Sequence, residues 1–489
     1  MNAFARILDW PVMPDDDKGL ALWSAGEIAA ATGGTPSTDF QAAGADIDSR
    51  DVAEGDLFFA LKGEAMDGHL FVDKAFARGA AAAIVERPVD GPHVLVEDTS
   101  SALEALAKLA RNRADARIIG VTGSVGKTGV KEAIFAALDR SSRGRAHRSV
   151  KSYNNHVGVP LSLARMPARS TFGVFEMGMN HAGEIRALSA LVRPHVAVIT
   201  TIAPAHIEML GSEEAIAEAK AEIFEGLEPG GVAIIPADSP HHARLKEAAE
   251  QHAGAVVSFG RAVHAGVRLL DAVPAPGGGS LVTADMGDRR ICYTVAEPGE
   301  HWIINSLAVI AAVRAAGGDL GAAGLALAEM RGLKGRGERH SIAAKGGDGS
   351  GRALLIDESY NANPASMRAT LAQLGVTPAR RRIAVLGAMK ELGEHGPAYH
   401  AALAEPIAAA GVDRLILVGD EMQALADELG KAPPAALGKA VPFAHCKTAG
   451  QALEALAQIG VEGGDAVLVK GSNSVGLGAV VAALTKQEG

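Results

Sequence analysis

The sequence predicts an α/β protein of three domains, and three observations carry that prediction. The chain has 489 residues, too many for one hydrophobic core. Short apolar runs alternate with helical stretches through its middle and again through its last third, the pattern of βαβ units and parallel sheets. Between one such run and a helical stretch stands the Gly-rich turn Gly123-Ser-Val-Gly-Lys-Thr128, arranged as a phosphate-binding loop is.

In chain order, residues 1–112 form a small mixed α/β domain, with buried strands expected at Asp56–Leu61 and Ala80–Val85. The polar turn Lys62-Gly-Glu-Ala-Met-Asp-Gly-His69 lies between them. Residues 113–332 form a central parallel-sheet domain, with strands expected at Ile118–Val121, Val174–Met177, Val196–Ile202 and Val232–Ile235 and a helix at Ile304–Ala316. The segment Gly332-Leu-Lys-Gly-Arg-Gly-Glu-Arg339 reads as an interdomain hinge. Residues 333–489 then form a Rossmann-like domain, with strands at Ala353–Ile356, Ile383–Leu386, Leu415–Val418 and Ala466–Val469. Its turns lack G-x-G-x-x-G, so the pattern predicts a fold and not a dinucleotide site.

Composition narrows the function classes. A net charge of −10 argues against a nucleic-acid binder, which needs a basic face, but leaves room for a local phosphate site. Cys292 and Cys446 are the only cysteines, far apart and outside any C-x-x-C, so neither a disulfide framework nor a thiolate zinc site is expected. No apolar run reaches the length of about 18 residues that a membrane span needs, and Arg6, Pro11 and Pro14 break the first segment. A cytoplasmic protein is expected.

The loop supplies the first candidate residues. Glycines at 123 and 126 let backbone N–H groups approach phosphate oxygens, with Ser124 and Val125 between them; Lys127 offers a point charge and the Thr128 hydroxyl a Mg²⁺ ligand. Position 121, where the longer G-x-x-x-x-G-K-[ST] loop has its first glycine, is Val121. Glu176 ends an expected strand, where open α/β sheets place their sites, yet a capping or salt-bridged carboxylate would look the same. His206 follows a Pro turn after another strand, where a lone His is more often structural. Lys220, within Glu218-Ala-Lys-Ala-Glu222, reads on its own as a solvated lysine of a helix surface. Asn154 and Asn155 are turn formers or phosphate-side ligands. Arg336, between Gly335 and Gly337, is a linker charge or a guanidinium placed to swing toward a nucleotide. Asp357 is a second strand-end carboxylate.

Taken together, these residues resemble the Mur ligases, ATP-dependent amide-bond ligases of cell-wall precursor synthesis. The resemblance runs through Asp48-Ser-Arg50, Phe58-Phe-Ala-Leu-Lys-Gly63, Asp67-Gly-His69, the loop with Gly-Val-Lys-Glu132, Asn154-Asn-His-Val-Gly-Val-Pro160 and Glu176-Met-Gly-Met-Asn-His-Ala-Gly-Glu184. It continues through Ala219-Lys-Ala-Glu-Ile-Phe224, His301-Trp-Ile-Ile-Asn305, Asp357-Glu-Ser-Tyr-Asn-Ala-Asn-Pro364 and Gly387-Ala-Met-Lys-Glu-Leu-Gly393. The resemblance implies joining of D-alanyl-D-alanine to UDP-MurNAc-tripeptide through an acyl phosphate, by a monomer using ATP and two Mg²⁺ ions.

It also implies roles. Lys127 and Thr128 would hold the ATP phosphates and a first Mg²⁺; Glu176 and His206 would hold a second, supported by a carbamylated Lys220. Asn305 would contact adenine, and Arg336 and Asp357 would reach the nucleotide from the third domain. Ser49, Arg50, Lys62, Gly63, Asp67 and His69 would bind the UDP-sugar, and Asn154, Asn155, Tyr360, Asn361 and Asn363 the rest of the substrate. Thr201, Gly129 and Asn473 depart from the family pattern, which commonly has Asn, Thr and Arg there. A folylpolyglutamate synthase-like ligase, a GTPase-like switch and a catalytically inactive relative remain as alternatives. Against them stand the Phe58–His69 motif, the lack of Asn-Lys-x-Asp, and the intact Lys127, Glu176, His206 and Lys220.

Overall fold

The computed structural model describes residues 21–63, 66–150, 152–204, 207–276, 278–349, 351–431 and 441–486. Three larger sheets follow one another along the chain, beside a small pairing of Trp23–Ser24 with Gln41–Ala42. The first sheet orders its strands Thr35–Pro36, His93–Leu95, Ala82–Val85, Asp56–Phe59 and Gly44–Asp46, parallel except at the Thr35–Pro36 edge. Asp56–Phe59 and Ala82–Val85 are buried at every position, as strands covered on both faces must be, which is why they read as unbroken apolar runs.

The central sheet has nine strands in the order Ala146–Arg148, Phe172–Glu176, Arg117–Thr122, Val196–Ile199, Val232–Pro236, Ala255–Gly260, Val267–Pro274, Ser280–Asp285 and Arg290–Val295. The first seven are parallel and the last two fold back antiparallel. The expected alternation of strand and helix up to residue 330 therefore stops at Ala255–Gly260, and the three following strands form a meander. These strands alternate buried and open positions and show no apolar run. Arg117–Thr122 lies between Phe172–Glu176 and Val196–Ile199, later strands placed on its opposite sides, so its C-terminal end is a topological switch point, where ligands of such sheets bind.

The third sheet runs Glu338–Ala343, Arg352–Glu358, Ala466–Lys470, Arg382–Gly387, Arg414–Val418 and Phe443–Cys446. Only Glu338–Ala343 is antiparallel, an edge strand the sequence reading did not foresee.

Contacts on two sides bind the central domain to its neighbours. Helix Gly158–Ala164, buried along its whole length, wedges between the first and central domains; Trp23 Nε1 donates to the Ala164 carbonyl (2.8 Å) and Arg165 pairs with Asp46 (2.9 Å). On the other side an apolar cluster continues from Ile202 and Ile207 to Met389 and Leu392 of the third domain.

Candidate active site

Helix Lys127–Ser142 begins at Gly126 in the left-handed conformation (φ 88°), and no side chain caps it. Its first N–H groups are thus left facing outward, an anion site by construction. By contrast, helix Glu184–Val192 is closed by Glu222, whose carboxylate accepts from Gly183 N (2.7 Å) and Arg186 N (3.1 Å). Gly123 cannot be replaced without rebuilding the loop, because a Cβ there would lie 2.0 Å from Thr200 Oγ1. The loop is pinned from below by Ser124 Oγ donating to the Ala203 carbonyl (2.8 Å), Ser124 N to the Thr201 carbonyl (2.7 Å) and Thr200 Oγ1 to the Val125 carbonyl (2.6 Å). Thr201 acts through its backbone in this.

Glu176 ends strand Phe172–Glu176 and is 1% exposed. Its carboxylate accepts from Thr128 Oγ1 and from Asn154 Nδ2, each at 2.8 Å, while its backbone N–H donates to Ser149 Oγ (3.1 Å). Buried Lys131 in turn donates to the Ser149 carbonyl (2.8 Å), fixing that turn. Lys127 Nζ donates to the Gly123 carbonyl (2.7 Å), and burial holds its ammonium below its ordinary range, with Glu176 opposing and Arg336 adding to the shift.

Lys220 overturns its solvated-surface reading: it is 1% exposed, on helix Glu213–Ala221. Burial, and secondarily Lys127, push its amine well below the usual lysine range. The surrounding sequence looked like an exposed helix because Glu218 and Glu222 flank it, but Glu218 pairs outward with Arg244 and Glu222 caps the neighbouring helix. His206 lies outside the described residues.

All these groups open onto one cavity of about 360 Å³ between the central and third domains. Of the expected residues, Ser124, Val125, Gly126, Lys127, Thr128, Asn154, Asn155, Glu176, Lys220, Asn305, Arg336, Tyr360, Asn361 and Asn363 line it. Arg336 crosses from the third domain, its Nη2 donating to Ser152 Oγ (3.3 Å) and its guanidinium stacked 4.2 Å over the Tyr360 ring. Asp357 is next to this wall rather than in it. Its carboxylate is consumed by Gly335 N (3.0 Å), Ser359 N (3.0 Å) and Ser359 Oγ (2.6 Å), so it holds the Gly335–Gly337 turn in shape. Glu338, His340 and Asp357 lie close enough to share a cation, and Asp357 already takes those three donors.

The sequence reading missed further lining residues, among them Glu358, Lys470 and Trp302. Glu358 and Lys470 end neighbouring strands, and Lys470, buried, donates to the Asn361 carbonyl (3.0 Å) and faces Glu358 (3.4 Å). Their signal was position alone: each closes an apolar strand at its C-terminal end, as Glu176 does. The cavity collects the basic side chains Lys127, Lys220, Arg336 and Lys470 beside the carboxylates Glu176, Glu184 and Glu358. A hydroxyl and a carboxylate, with an amide beside them, are hard oxygen donors of the kind Mg²⁺ takes, and the cationic remainder suits polyphosphate.

The first-domain residues do not share this cavity. Arg50 is exposed and paired with Asp48 (2.6 Å), Ser49 is buried, and Lys62 pairs with Glu86. Gly63 N donates to the Met66 carbonyl (2.8 Å). His69 is buried with both ring nitrogens in use: Nδ1 bonds Asp67 (2.6 Å) and Nε2 accepts from Glu86 N (2.9 Å), which fixes a neutral Nδ1–H ring. Asp67 also takes Arg87 in a fork (3.0 and 3.1 Å) and is held well below the usual carboxylate range, first by the His69 backbone N–H. Asp67 and His69 therefore shape this loop with their side chains.

Comparison with known proteins agrees with this layout. Three descriptions match in order along the chain: Mur ligase family, catalytic domain, at residues 42–114; Mur ligase middle domain at 121–313; and Mur ligase, glutamate ligase domain, at 345–473. The UDP-N-acetylmuramoyl-tripeptide–D-alanyl-D-alanine ligase of Synechocystis sp. is 37% identical, over 89% of this chain and 90% of that one. A crystal structure of MurF from Acinetobacter baumannii superposes with a TM-score of 0.79 at 30% identity, over 95% of this chain and 99% of that one. The MurF ligase of Thermotoga maritima in complex with ADP gives a TM-score of 0.72 at 27% identity, over 91% of this chain and 97% of that one.

Proposed function

The chain belongs to the Mur ligase family, and we infer that it joins D-alanyl-D-alanine to UDP-N-acetylmuramoyl-tripeptide with ATP, for peptidoglycan synthesis. The observation that carries this reading is the interdomain cavity, with an uncapped phosphate-loop helix, a buried carboxylate and a buried lysine on one side and Arg336, Tyr360 and Lys470 on the other. A nucleotide-handling wall facing a second domain is what coupling ATP to a bond between two further substrates requires.

The tripeptide carboxylate attacks the γ-phosphorus of ATP in line, the bond to the β-phosphate oxygen breaks, and an acyl phosphate and ADP result. The amine of D-alanyl-D-alanine then adds to the acyl carbon, loses a proton, and expels phosphate. In our reading Gly123 to Thr128 hold the β- and γ-phosphates with backbone N–H groups, and Lys127 turns from the Gly123 carbonyl onto the transferring oxygens. Arg336 neutralises charge from the opposite wall, and Asn305 meets the base. When bound, two Mg²⁺ ions neutralise the phosphoryl oxygens; Thr128 would hold the first, and Glu176, His206 and carbamylated Lys220 the second.

The carbamate follows from charge. Burial and the neighbouring Lys127 disfavour an ammonium at Lys220, which favours the neutral amine. A neutral amine is the form that adds CO₂: its nitrogen bonds the carbon and gives up a proton to solvent, and the carbamate anion left would balance Lys127. Ser49, Arg50, Lys62 and Gly63 are assigned to the UDP end, with Asp67 and His69 holding their loop; Asn154, Asn155, Tyr360, Asn361 and Asn363 face the reacting end. Asp357 would act on the nucleotide through the turn that presents Arg336. Residues 1–112, 113–332 and 333–489 would be the UDP-sugar, ATP and incoming-dipeptide domains. We take the working form to be a monomer. Among the described residues no helix is long and apolar enough to cross a membrane; we place the enzyme in the cytoplasm, where ATP and UDP-linked precursors are made.

The test is phosphate release by purified protein with Mg-ATP. Release should require both UDP-N-acetylmuramoyl-tripeptide and D-alanyl-D-alanine. If omitting either substrate left the rate unchanged, or both together gave none, the assignment would fail.

A further inference from the structure

We propose that Trp302 is the wall on which the nucleotide base stacks, and that position 129 is glycine so that the indole can lie there; the proposal rests on the cavity being a nucleotide site. Two helix N-termini meet at this point. Helix Lys127–Ser142 starts at Gly126, and helix Glu300–Ala315 starts at Gly299. Residues three apart share a helix face, and here two such pairs oppose each other. A Cβ on Gly126 would lie 2.8 Å from Asn305 Nδ2, and a Cβ on Gly129 would lie 2.7 Å from Trp302 Cη2 and 2.9 Å from Cζ2. The amide and the indole are thus both seated against the first turn of the phosphate-loop helix, and both line the cavity.

Gly129 has no conformational reason to be glycine. It lies inside a helix and is not among the glycines with positive φ. Glycine is a poor helix former, so its presence in the first turn costs helix stability. Space is what it supplies, and the indole fills that space. Trp302 is partly exposed into the cavity, whereas Ile303 and Leu307 of the same helix are buried in the core. Among the described residues, the aromatic ring paired with it is His301, tilted by 45° at 6.2 Å, which does not cover the indole face by parallel stacking. A π-face beside an amide that can both donate and accept is the pair of features a purine offers partners for: one for its plane, one for its edge.

The experiment measures ADP affinity by calorimetry and the KM values for ATP and D-alanyl-D-alanine in the full-length enzyme, for Trp302→Ala, Trp302→Phe, Gly129→Thr and Gly129→Thr/Trp302→Ala. Loss of one base-stacking ring should raise the ADP Kd and the ATP KM about tenfold, with the KM for D-alanyl-D-alanine unchanged. Trp302→Phe should recover most of the loss. Gly129→Thr alone should resemble Trp302→Ala, and should add nothing in the Trp302→Ala background, because both act on one ring. An ADP Kd for Trp302→Ala within about twofold of wild type, with only the thermal midpoint lowered, would make Trp302 a core residue and overturn the proposal. Wild-type protein that binds no ADP at millimolar concentration would instead overturn the nucleotide reading, and the proposal with it.

Discussion

Lys220 shows how far one residue's environment can depart from its neighbourhood in sequence. Its amine is held well below the usual lysine range by burial and by Lys127, so the unfolded chain binds a proton there that the native protein does not. Native stability therefore rises with pH until the unfolded lysine also loses its proton, and at neutral pH the residue is a burden on the fold. Lys220→Met should raise the thermal midpoint, by about 2–4 °C for each kcal/mol relieved, while phosphate release falls by about 10²–10³. Added bicarbonate should raise the wild-type midpoint, as any ligand of the native state does, and leave Lys220→Met unmoved; a bicarbonate effect of equal size in both would remove the carbamate from Lys220. Glu176→Gln should lose a comparable factor in rate and require more Mg²⁺ for half-maximal rate. The two residues were not equally legible. Glu176 stands at a strand end, a position with a topological reason to be functional, whereas nothing in Glu-Ala-Lys-Ala-Glu distinguishes a buried lysine from a solvated one. That distinction is made by Glu218 and Glu222 turning away to Arg244 and Gly183, contacts far away in sequence.

At the scale of elements, legibility follows burial. The parallel strands around Arg117–Thr122 are buried throughout or nearly so and read directly as apolar runs. Glu338–Ala343 and Arg290–Val295 are half open, so their alternating patterns carry little signal and both were missed. The short segment between Arg290–Val295 and helix Glu300–Ala315 carries Glu297, which is buried and faces Arg339 and Glu358 of the third domain. Burial first, and Glu358 in addition, push its carboxyl up from an ordinary 4.5 to about 7, against Arg339 and the Gly332 N–H. Between these two values the native protein holds a proton that the unfolded chain has released, so Glu297 lowers stability as pH rises from 4.5 to about 7 and costs most above that. Glu297→Gln should flatten this part of the stability profile and be the more stable protein at pH 8. Thermal midpoints of both proteins across that range test it; parallel profiles would mean that Glu297 titrates normally.

For the whole molecule, the question is where the third domain pivots and what its closure requires. The glycine-rich segment expected to be the hinge is bonded to the third domain: Gly335 N donates to Asp357 Oδ2 (3.0 Å), Gly337 N to the Asp357 carbonyl (2.9 Å) and Tyr360 N to the Gly335 carbonyl (3.1 Å). It therefore moves with that domain, and the pivot falls before Leu333, after helix Leu320–Glu329. From that pivot the domains meet on two sides of the cavity, at Arg336 with Ser152 and at Glu208, whose N–H donates to the Glu391 carbonyl (3.4 Å). The second contact is close-packed: Gly393 has φ 54°, and a Cβ there would lie 3.2 Å from Glu208 Cβ. A β-branched residue at 393 would have to leave that conformation and press on Glu208 at once. The phosphate loop lies entirely in the central domain and Arg336 has its own contact at Ser152, so nucleotide binding depends far less on the Glu208 contact than the reaction does. An acyl phosphate does depend on closure, since water must be kept from it. Gly393→Val should therefore leave the ADP Kd near wild type, while the rate of ligation falls by at least about tenfold, or about 1.4 kcal/mol. Hydrolysis of ATP without product formation should rise as a share of turnover. Small-angle scattering with ADP and tripeptide bound should report a larger radius than for wild type. If the rate and the hydrolytic share were both unchanged, the Glu208–Gly393 contact would have no part in closure, and the Arg336 side alone would have to hold the domains together during the reaction.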